Sequence, residues 1–162
     1  MDQVGASAAI EIDAPAAAVF ALAAGSRISD FVRPFGPLPG VARVEGPADW
    51  RAPGETRLIT LTDGSSLEEE LTGLDPGRRF SYRATRFSGP FGALVAQGLG
   101  EWSLTAEGTG RTRLVWSYAF AAKNALALPL LALLVRSLWP AYMQAALRRL
   151  KAEAERARAA SA

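Results

Sequence analysis

The chain has 162 residues, 49% of them hydrophobic and 21% charged, and its 18 Lys and Arg residues against 16 Asp and Glu residues give a net charge of +2. This length predicts one domain, residues 1–162, with a sizeable core, and the near balance of charge argues against nucleic acid as a partner. The absence of Cys and His excludes disulfides, thiolate nucleophiles, imidazole bases and ordinary zinc sites, so neither a metal nor a cofactor is expected.

The N-terminal part of the chain predicts a strand that leads directly into a helix. Residues 1–10 lack a basic segment before an apolar run, so we expect no secretory signal and a cytoplasmic location. Side chains alternate over residues 9–12, as in a half-buried strand. Asp13, as a capping side chain, and Pro15, in the first turn, then favour the start of an Ala-rich helix. A second short helix is expected near residues 28–32.

Six further segments have the composition and alternation of strands. They are residues 41–45, 56–62, 66–74, 79–87, 95–106 and 113–120. Turn signals rich in Gly, Pro and Asp separate them, which predicts a meander of antiparallel neighbours.

The C-terminal part predicts one long helix over residues 129–158, bent at Pro140 and with a frayed tail from about residue 158. After the bend the helix is amphipathic. Its predicted apolar stripe consists of Tyr142, Met143, Ala146, Leu147 and Leu150. Glu153 and Glu155 are interleaved with the late basic residues, which favours a solvated helix face over a nucleic-acid site.

Residues 125–135 form an uninterrupted apolar run that needs a separate explanation. A membrane span needs about 20 apolar residues, whereas this run ends at Arg136 and is broken by Pro129, so no transmembrane span is expected. The run is interpreted as the wall of an internal cavity, with its other sides packed on the short helices or on a partner. A homodimer or membrane-surface contact through residues 125–135 is the partner alternative.

The period of two in the strands places two charged residues on the apolar face of the sheet. Arg57 shares a face with Ile59 and Leu61, and Glu69 shares a face with its leucine neighbours. A three-residue turn over residues 63–65 would set Ile59 opposite Glu69, with Arg57 diagonal to the carboxylate. Two interpretations stay open: the two charges satisfy each other near the sheet edge, or they contact a ligand.

The same alternation gives the sheet one large aromatic face, which a covering element must bury. Gly98 and Gly100 fall on that face and leave space or allow strong curvature. For each aromatic residue, ordinary core packing competes with a role in lining a pocket.

The order of elements resembles the helix-grip fold of the START-like or SRPBCC superfamily, and within it the polyketide cyclase/dehydrase and lipid-transport branch. The segments that carry the resemblance are "IEIDAPAAAVFAL" from Ile10, "PGETRLITLTDG" from Pro53, "LEEELTGLDPGRRFSYRA" from Leu67, "GTGRTRLVWSYAF" from Gly108 and "ALRRLKAEAE" from Ala146. The resemblance implies an α+β fold: a seven-stranded curved antiparallel sheet wrapped around a long C-terminal helix, with two short helices after strand 1.

The resemblance also implies a cavity between the sheet and the long helix for an apolar or amphipathic small molecule. Arg57 and Glu69 would contact the ligand, and three loops would form its gate, beginning at Pro34, Asp63 and Arg86. The expected ligand-binding residues are Ile59, Leu61, Leu67, Leu71, Phe80, Tyr82, Gly98, Gly100, Trp102, Trp116, Tyr118, Leu131, Val135, Leu138, Trp139 and Tyr142.

The residue pattern and the resemblance together leave three candidate functions. The first is a carrier or sequestering protein for a hydrophobic small molecule, lipid- or polyketide-like. The second is a polyketide cyclase or dehydratase in which Glu69 is the general acid/base and Arg57 or a tyrosine stabilises an enolate-like oxygen. The third is an interaction module that uses the apolar start of the last helix.

Overall fold

The computed structural model describes residues 3–161 and contains one antiparallel sheet and four α-helices. The strands are β1 (Gln3–Ile12), β2 (Val41–Glu45), β3 (Thr56–Leu61), β4 (Ser66–Asp75), β5 (Arg79–Thr85), β6 (Val95–Ala106) and β7 (Thr112–Ala122). The helices are α1 (Ala16–Ala24), a 3-10 helix (Ile28–Asp30), α2 (Gly89–Gly92), α3 (Leu128–Ser137) and α4 (Trp139–Ser161).

The sheet has the order β1-β7-β6-β5-β4-β3-β2, and every neighbouring pair is antiparallel. The chain therefore runs as a meander from β2 to β7, and β1 closes the far edge against β7. Helix α4 packs on the sheet and contacts β1 most extensively. This arrangement confirms the predicted α+β helix-grip fold. Strand β1 begins at Gln3, earlier than the alternation at residues 9–12 indicated, because its small residues are held by pairing with β7.

The predicted cap of the first helix is wrong. Helix α1 begins at Ala16 with Pro15 as its N-cap residue, and no side chain caps it. Asp13 lies too far upstream, and its backbone instead contacts α4. Its N–H donates to Glu155 Oε1 (3.1 Å) and its carbonyl accepts from Arg158 Nη1 (2.8 Å). Helix α4 continues past Arg158 to Ser161.

The single long C-terminal helix of the prediction is two helices that meet at an angle of 41°. The break lies at Leu138, two residues before Pro140. Pro140 has no N–H to donate to the Arg136 carbonyl, so the hydrogen-bond ladder is interrupted there. Beyond the break the predicted stripe is confirmed: Tyr142, Met143, Ala146, Leu147 and Leu150 are all buried.

Helix α3 has a buried side and an exposed apolar side. Leu131 and Val135 are fully buried, whereas Leu130 is 54% exposed and Leu133 65%; Leu126, in the turn before the helix, is 92% exposed. Among the described residues no single helix is long and apolar enough to cross a membrane. Only α3 and α4 counted together, across their bend, reach the required length and composition.

The turn between β3 and β4 differs from the predicted one by a register shift of two residues. Leu61 and Ser65 close the turn through the Leu61 N–H and the Ser65 carbonyl (2.8 Å), so the loop comprises Thr62 to Gly64. Arg57 is therefore directly opposite Glu69, and Ile59 is opposite Leu67. The Asp63 side chain fixes this turn by accepting from the Ser65 backbone N–H (2.9 Å), a local bond that alternation alone does not predict.

Candidate functional site

A cavity of about 260 Å³ lies between the inner face of the sheet and the helices that cover it. The strands β3 to β7 form its floor. The segment from α1 to β2, the α2 region and residues of α3 and α4 form its walls. The lining is mostly apolar and aromatic, which is typical of small-molecule sites in proteins.

Twelve of the residues expected at the site lie on the cavity wall. They are Arg57, Ile59, Leu61, Leu67, Glu69, Phe80, Tyr82, Trp102, Trp116, Tyr118, Trp139 and Tyr142. The inward faces of β3, β4 and β5 are therefore those that the period of two indicated.

Six other expected residues are not on the wall: Leu71, Gly98, Gly100, Leu131, Val135 and Leu138. The two glycines are covered by rings. A Cβ on Gly98 would be 2.6 Å from Tyr118 Cε1, and one on Gly100 would be 2.3 Å from Tyr82 Cζ. Leu131 and Val135 are completely buried on the side of α3 that packs against its neighbours. Their neighbour Leu134 reaches the cavity instead.

The structure also brings residues to the wall that the strand pattern did not indicate. They are Ala23, Ile28, Phe31, Val32, Pro37, Leu38, Pro39, Val41, Trp50, Asp63, Ser65, Phe87, Pro90, Phe91, Leu94, Phe120 and Leu134. All three predicted gate loops contribute to this set. Trp50 was the most visible missed signal, because a large aromatic residue in a polar loop usually packs against something.

Arg57 is almost completely buried, and backbone carbonyls occupy most of its donors. Its exposed fraction is 2%. Nη1 and Nη2 donate to the carbonyls of Gly25 (3.2 Å) and Ala24 (3.1 Å) at the C-terminal end of α1. Nε and Nη2 donate to Pro47 (3.0 Å) and Ala48 (3.1 Å).

The environment of the Arg57 guanidinium compensates for the cost of burying it. The carbonyl end of a helix favours a cation, and the guanidinium carbon lies 3.9 Å from the centre of the Trp50 ring, a cation–π contact. Burial lowers the pKa of Arg57, but a guanidinium stays charged in proteins. Arg57 therefore anchors α1 and the β2–β3 loop to the sheet.

Glu69 has none of these partners. Within residues 3–161 no donor forms a hydrogen bond with its carboxylate, and no ion pair includes it. Its cross-strand neighbours are Arg57 on one side and Ala84 on the other, and its accessible surface opens into the cavity. Burial raises the pKa of Glu69 to about 7, although the nearby Arg57 charge acts in the opposite direction. Glu69 can therefore donate or accept a proton near neutral pH.

Aromatic side chains with polar atoms form the rest of the floor. Tyr82 and Tyr118 make an edge-to-face pair with ring centres 5.8 Å apart. Burial and the Glu69 carboxylate raise the pKa of both hydroxyls, so both remain protonated. The indole Nε1 atoms of Trp116 and Trp139 are buried and have no acceptor among the described residues.

One gate loop is tied to the long helix. The Tyr142 hydroxyl donates to the Pro39 carbonyl (2.6 Å), and burial raises the pKa of Tyr142 so that the donor proton is retained. On the other side of the cavity, Phe91 of α2 stacks on Trp139 with ring centres 5.7 Å apart. The Tyr142 hydrogen bond and the Phe91–Trp139 stack therefore tie two of the gate loops to α4.

Comparison with known families and structures agrees with the fold. The family model described as polyketide cyclase / dehydrase and lipid transport matches residues 3–155. The solved structure of the Zhui aromatase/cyclase from Streptomyces sp. R1128 has a TM-score of 0.72 at 21% identity, covering 96% of this chain and 95% of that one. Ara h 8.0201 has a TM-score of 0.63 at 13% identity, covering 94% and 98%.

A third similar structure, an uncharacterised protein from Bacillus thuringiensis, has a TM-score of 0.65 at 17% identity, covering 93% of this chain and 98% of that one. None of the curated proteins compared with the chain is similar to it. At these identities the structural likenesses show the fold alone, whereas the family model spans almost the whole chain. The chain belongs to the polyketide cyclase / dehydrase and lipid transport family.

Proposed function

We propose that the chain binds a hydrophobic or amphipathic small molecule, lipid- or polyketide-like, in the cavity between the sheet and the C-terminal helices. The observation that carries this proposal is an apolar cavity of about 260 Å³ whose floor presents a carboxyl group without a partner among the described residues. A protein core is otherwise packed with few voids larger than a water molecule. The match to a family of cyclases and lipid carriers supports the proposal. Single-domain organisation and a cytoplasmic location stay predictions.

Filling the cavity tests this function. Leu67 lies on the wall, so Leu67→Trp should occupy part of the void, whereas Leu58→Trp places the same ring on the outer face, where Leu58 is 44% exposed. We expect native mass spectrometry of detergent-free protein to show a retained apolar mass, and the wild type to bind an apolar fluorescent probe. Leu67→Trp should weaken probe binding by about tenfold or more, and Leu58→Trp should not. A wild-type protein that binds no apolar probe contradicts the proposal.

The second candidate function is acid/base catalysis on such a ligand, as in a cyclase or dehydratase. It is favoured by Glu69, whose pKa of about 7 suits proton transfer near neutral pH. Protonated Tyr82 and Tyr118 could donate to an enolate-like oxygen. Arg57 is committed to backbone carbonyls and would position the site rather than take part in the chemistry.

Turnover by the Glu69→Gln variant tests the catalytic role. With a poly-β-ketone thioester as substrate, we expect the amide to reduce the rate by about 10²-fold or more, because a general acid/base typically contributes that much. Substrate binding should change far less. Glu70→Gln is the matched control, since Glu70 lies on the outer face and pairs with Arg83 at 2.7 Å. Equal rates for wild type and Glu69→Gln would exclude the role.

The outer side of α3 supports a third proposal, contact with an anionic membrane surface. Leu130 and Leu133 are exposed there and Leu126 is exposed in the turn just before the helix, and no Asp or Glu occurs between Glu107 and Glu153. Basic residues near an apolar helix face favour anionic lipid surfaces. Liposome flotation should show weaker binding of the double variant Leu130→Ser, Leu133→Ser. The control pair Leu58→Ser, Leu99→Ser changes exposed leucines of the sheet and should float like the wild type. Wild-type protein that never floats would contradict this contact.

A further inference from the structure

We propose that the ligand of this cavity carries a basic amine that lies against the Glu69 carboxylate, and that the cavity discriminates against carboxylate ligands. This inference rests on the proposed binding function and specifies its ligand class. It reverses the expectation from residue types alone, in which an inward arginine would attract an anion.

Arg57 has few free N–H donors for an anionic ligand. A guanidinium has five N–H donors, and four donor contacts already go to the carbonyls of Ala24, Gly25, Pro47 and Ala48. Its face is covered by Trp50 at 3.9 Å. Because bidentate binding of a carboxylate needs two free parallel N–H groups, an acid in the cavity could not obtain it without breaking contacts that hold α1.

The second step is that Glu69 is placed to act as a counter-ion. No side chain in the described part of the molecule pairs with it, and Ala84 beside it is too short to reach the carboxylate. An ionised carboxylate at an apolar wall is costly when it accepts no hydrogen bond and has only the Arg57 charge nearby, so a ligand cation that pairs with it recovers part of that cost. A ligand carboxylate at the same place would add a second negative charge without a partner.

The third step is the aromatic surround. Trp102 and Trp116 stack with ring centres 4.5 Å apart, and Phe80 continues the stack at 5.8 Å from Trp102. Tyr82 and Tyr118 lie on the adjacent row of the sheet. The ring faces that the stack leaves uncovered attract cations and repel anions, so these rings and the carboxylate favour the same sign of ligand charge.

The fourth step concerns the rest of the ligand. The indole N–H groups of Trp116 and Trp139 are buried without acceptors in residues 3–161, and both tryptophans line the cavity. Because both Nε1 atoms are buried, they do not face the cavity, and the wall that meets the rest of the ligand is mostly apolar. The ligand class is therefore a small amine on an apolar skeleton.

Three probes of nearly equal size separate this inference from the proposed function. They share a naphthyl ring and differ in the terminal group: 2-(1-naphthyl)ethylamine, 2-(1-naphthyl)ethanol and the carboxylate 1-naphthaleneacetate. Their dissociation constants are measured by titration calorimetry at pH 8 on the full chain. We expect the amine to bind about tenfold more tightly than the alcohol, and the acetate about tenfold more weakly.

Two variants locate the preference. Glu69→Gln should remove the advantage of the amine over the alcohol, while binding of the alcohol changes less than about threefold. Glu70→Gln makes the same change of charge on the outer face, where Glu70 pairs with Arg83, and should retain the wild-type order. Thermal unfolding of each variant verifies that it is folded.

The outcomes are distinct for the two proposals. If the alcohol binds and the amine binds no better than the alcohol, the amine assignment is overturned and the binding function stands. If the amine preference persists in Glu69→Gln, the assignment to Glu69 is overturned. If none of the three probes binds, the binding function itself fails and this inference fails with it.

Discussion

The Arg57 and Glu69 side chains lie directly opposite each other on β3 and β4, yet their surroundings are opposite in kind. Arg57 donates four hydrogen bonds to carbonyls and stacks on Trp50. Glu69 accepts none from the residues that the structure describes, and it faces the cavity. The Arg57 guanidinium connects elements of the fold, and the Glu69 carboxylate is available to a ligand.

The difference shows that the elements covering the sheet decide whether a charged side chain on its inner face can contact a ligand. The end of α1 and the β2–β3 loop lie against β3 at Arg57 and present four carbonyls to its side chain. The inner face of β4 at Glu69 opens into the cavity instead. A buried cation surrounded by carbonyl oxygens is satisfied, whereas a partly buried carboxylate that accepts no hydrogen bond from the described residues is not.

Replacing Arg57 should have the largest effect on the free energy of unfolding. Arg57→Met leaves four carbonyls without their donor and Glu69 without its nearest positive charge. We expect the free energy of unfolding to fall by about 3–5 kcal/mol. Urea denaturation followed by tryptophan fluorescence measures the loss. Arg57→Lys, which keeps the charge but not the planar fork, should be intermediate.

The control for this change is an arginine in solvent. Arg43 on β2 has a 66% exposed side chain and only a long contact with Glu45 at 3.7 Å. Arg43→Met should change the free energy of unfolding by less than about 0.5 kcal/mol. If Arg57→Met were equally mild, the anchoring role of Arg57 would be wrong.

The inner face of the sheet was predictable because strand alternation has a fixed period. Ile59, Phe80, Tyr82 and Trp116 were placed inward by counting, and the structure buries all of them. The partners of Arg57 were not predictable, because they are backbone carbonyls. Which carbonyls meet a given side chain is decided by tertiary packing.

The register of the β3–β4 hairpin was mispredicted for a related reason. Alternation fixes the face of the sheet on which each residue lies. It does not distinguish strand pairings that differ by two residues, and the turn decides which of these registers forms. Here the Asp63 side chain holds a turn over Thr62 to Gly64.

The helices that cover the cavity were equally hard to predict. The apolar run of α3 indicates burial on several sides, but it does not indicate that Leu134, rather than Leu131, reaches the cavity.

Glu69 should make the free energy of unfolding depend on pH over a range in which few other groups titrate. Burial raises the folded-state pKa of Glu69 from an ordinary 4.5 to about 7, so the folded protein holds this proton more tightly than the unfolded chain. The stabilisation is complete below about pH 4.5 and is lost as the pH rises through about 7, a fall of at most about 3 kcal/mol. Urea unfolding at half-unit pH steps measures it. Because the sequence has no histidine, the dependence of the unfolding free energy on pH should vanish in Glu69→Gln and persist in Glu70→Gln. A wild-type unfolding free energy that stays constant from pH 5 to 7 would contradict this prediction. It would show that Glu69 is already ionised at pH 5 and is better solvated than its position on the wall implies.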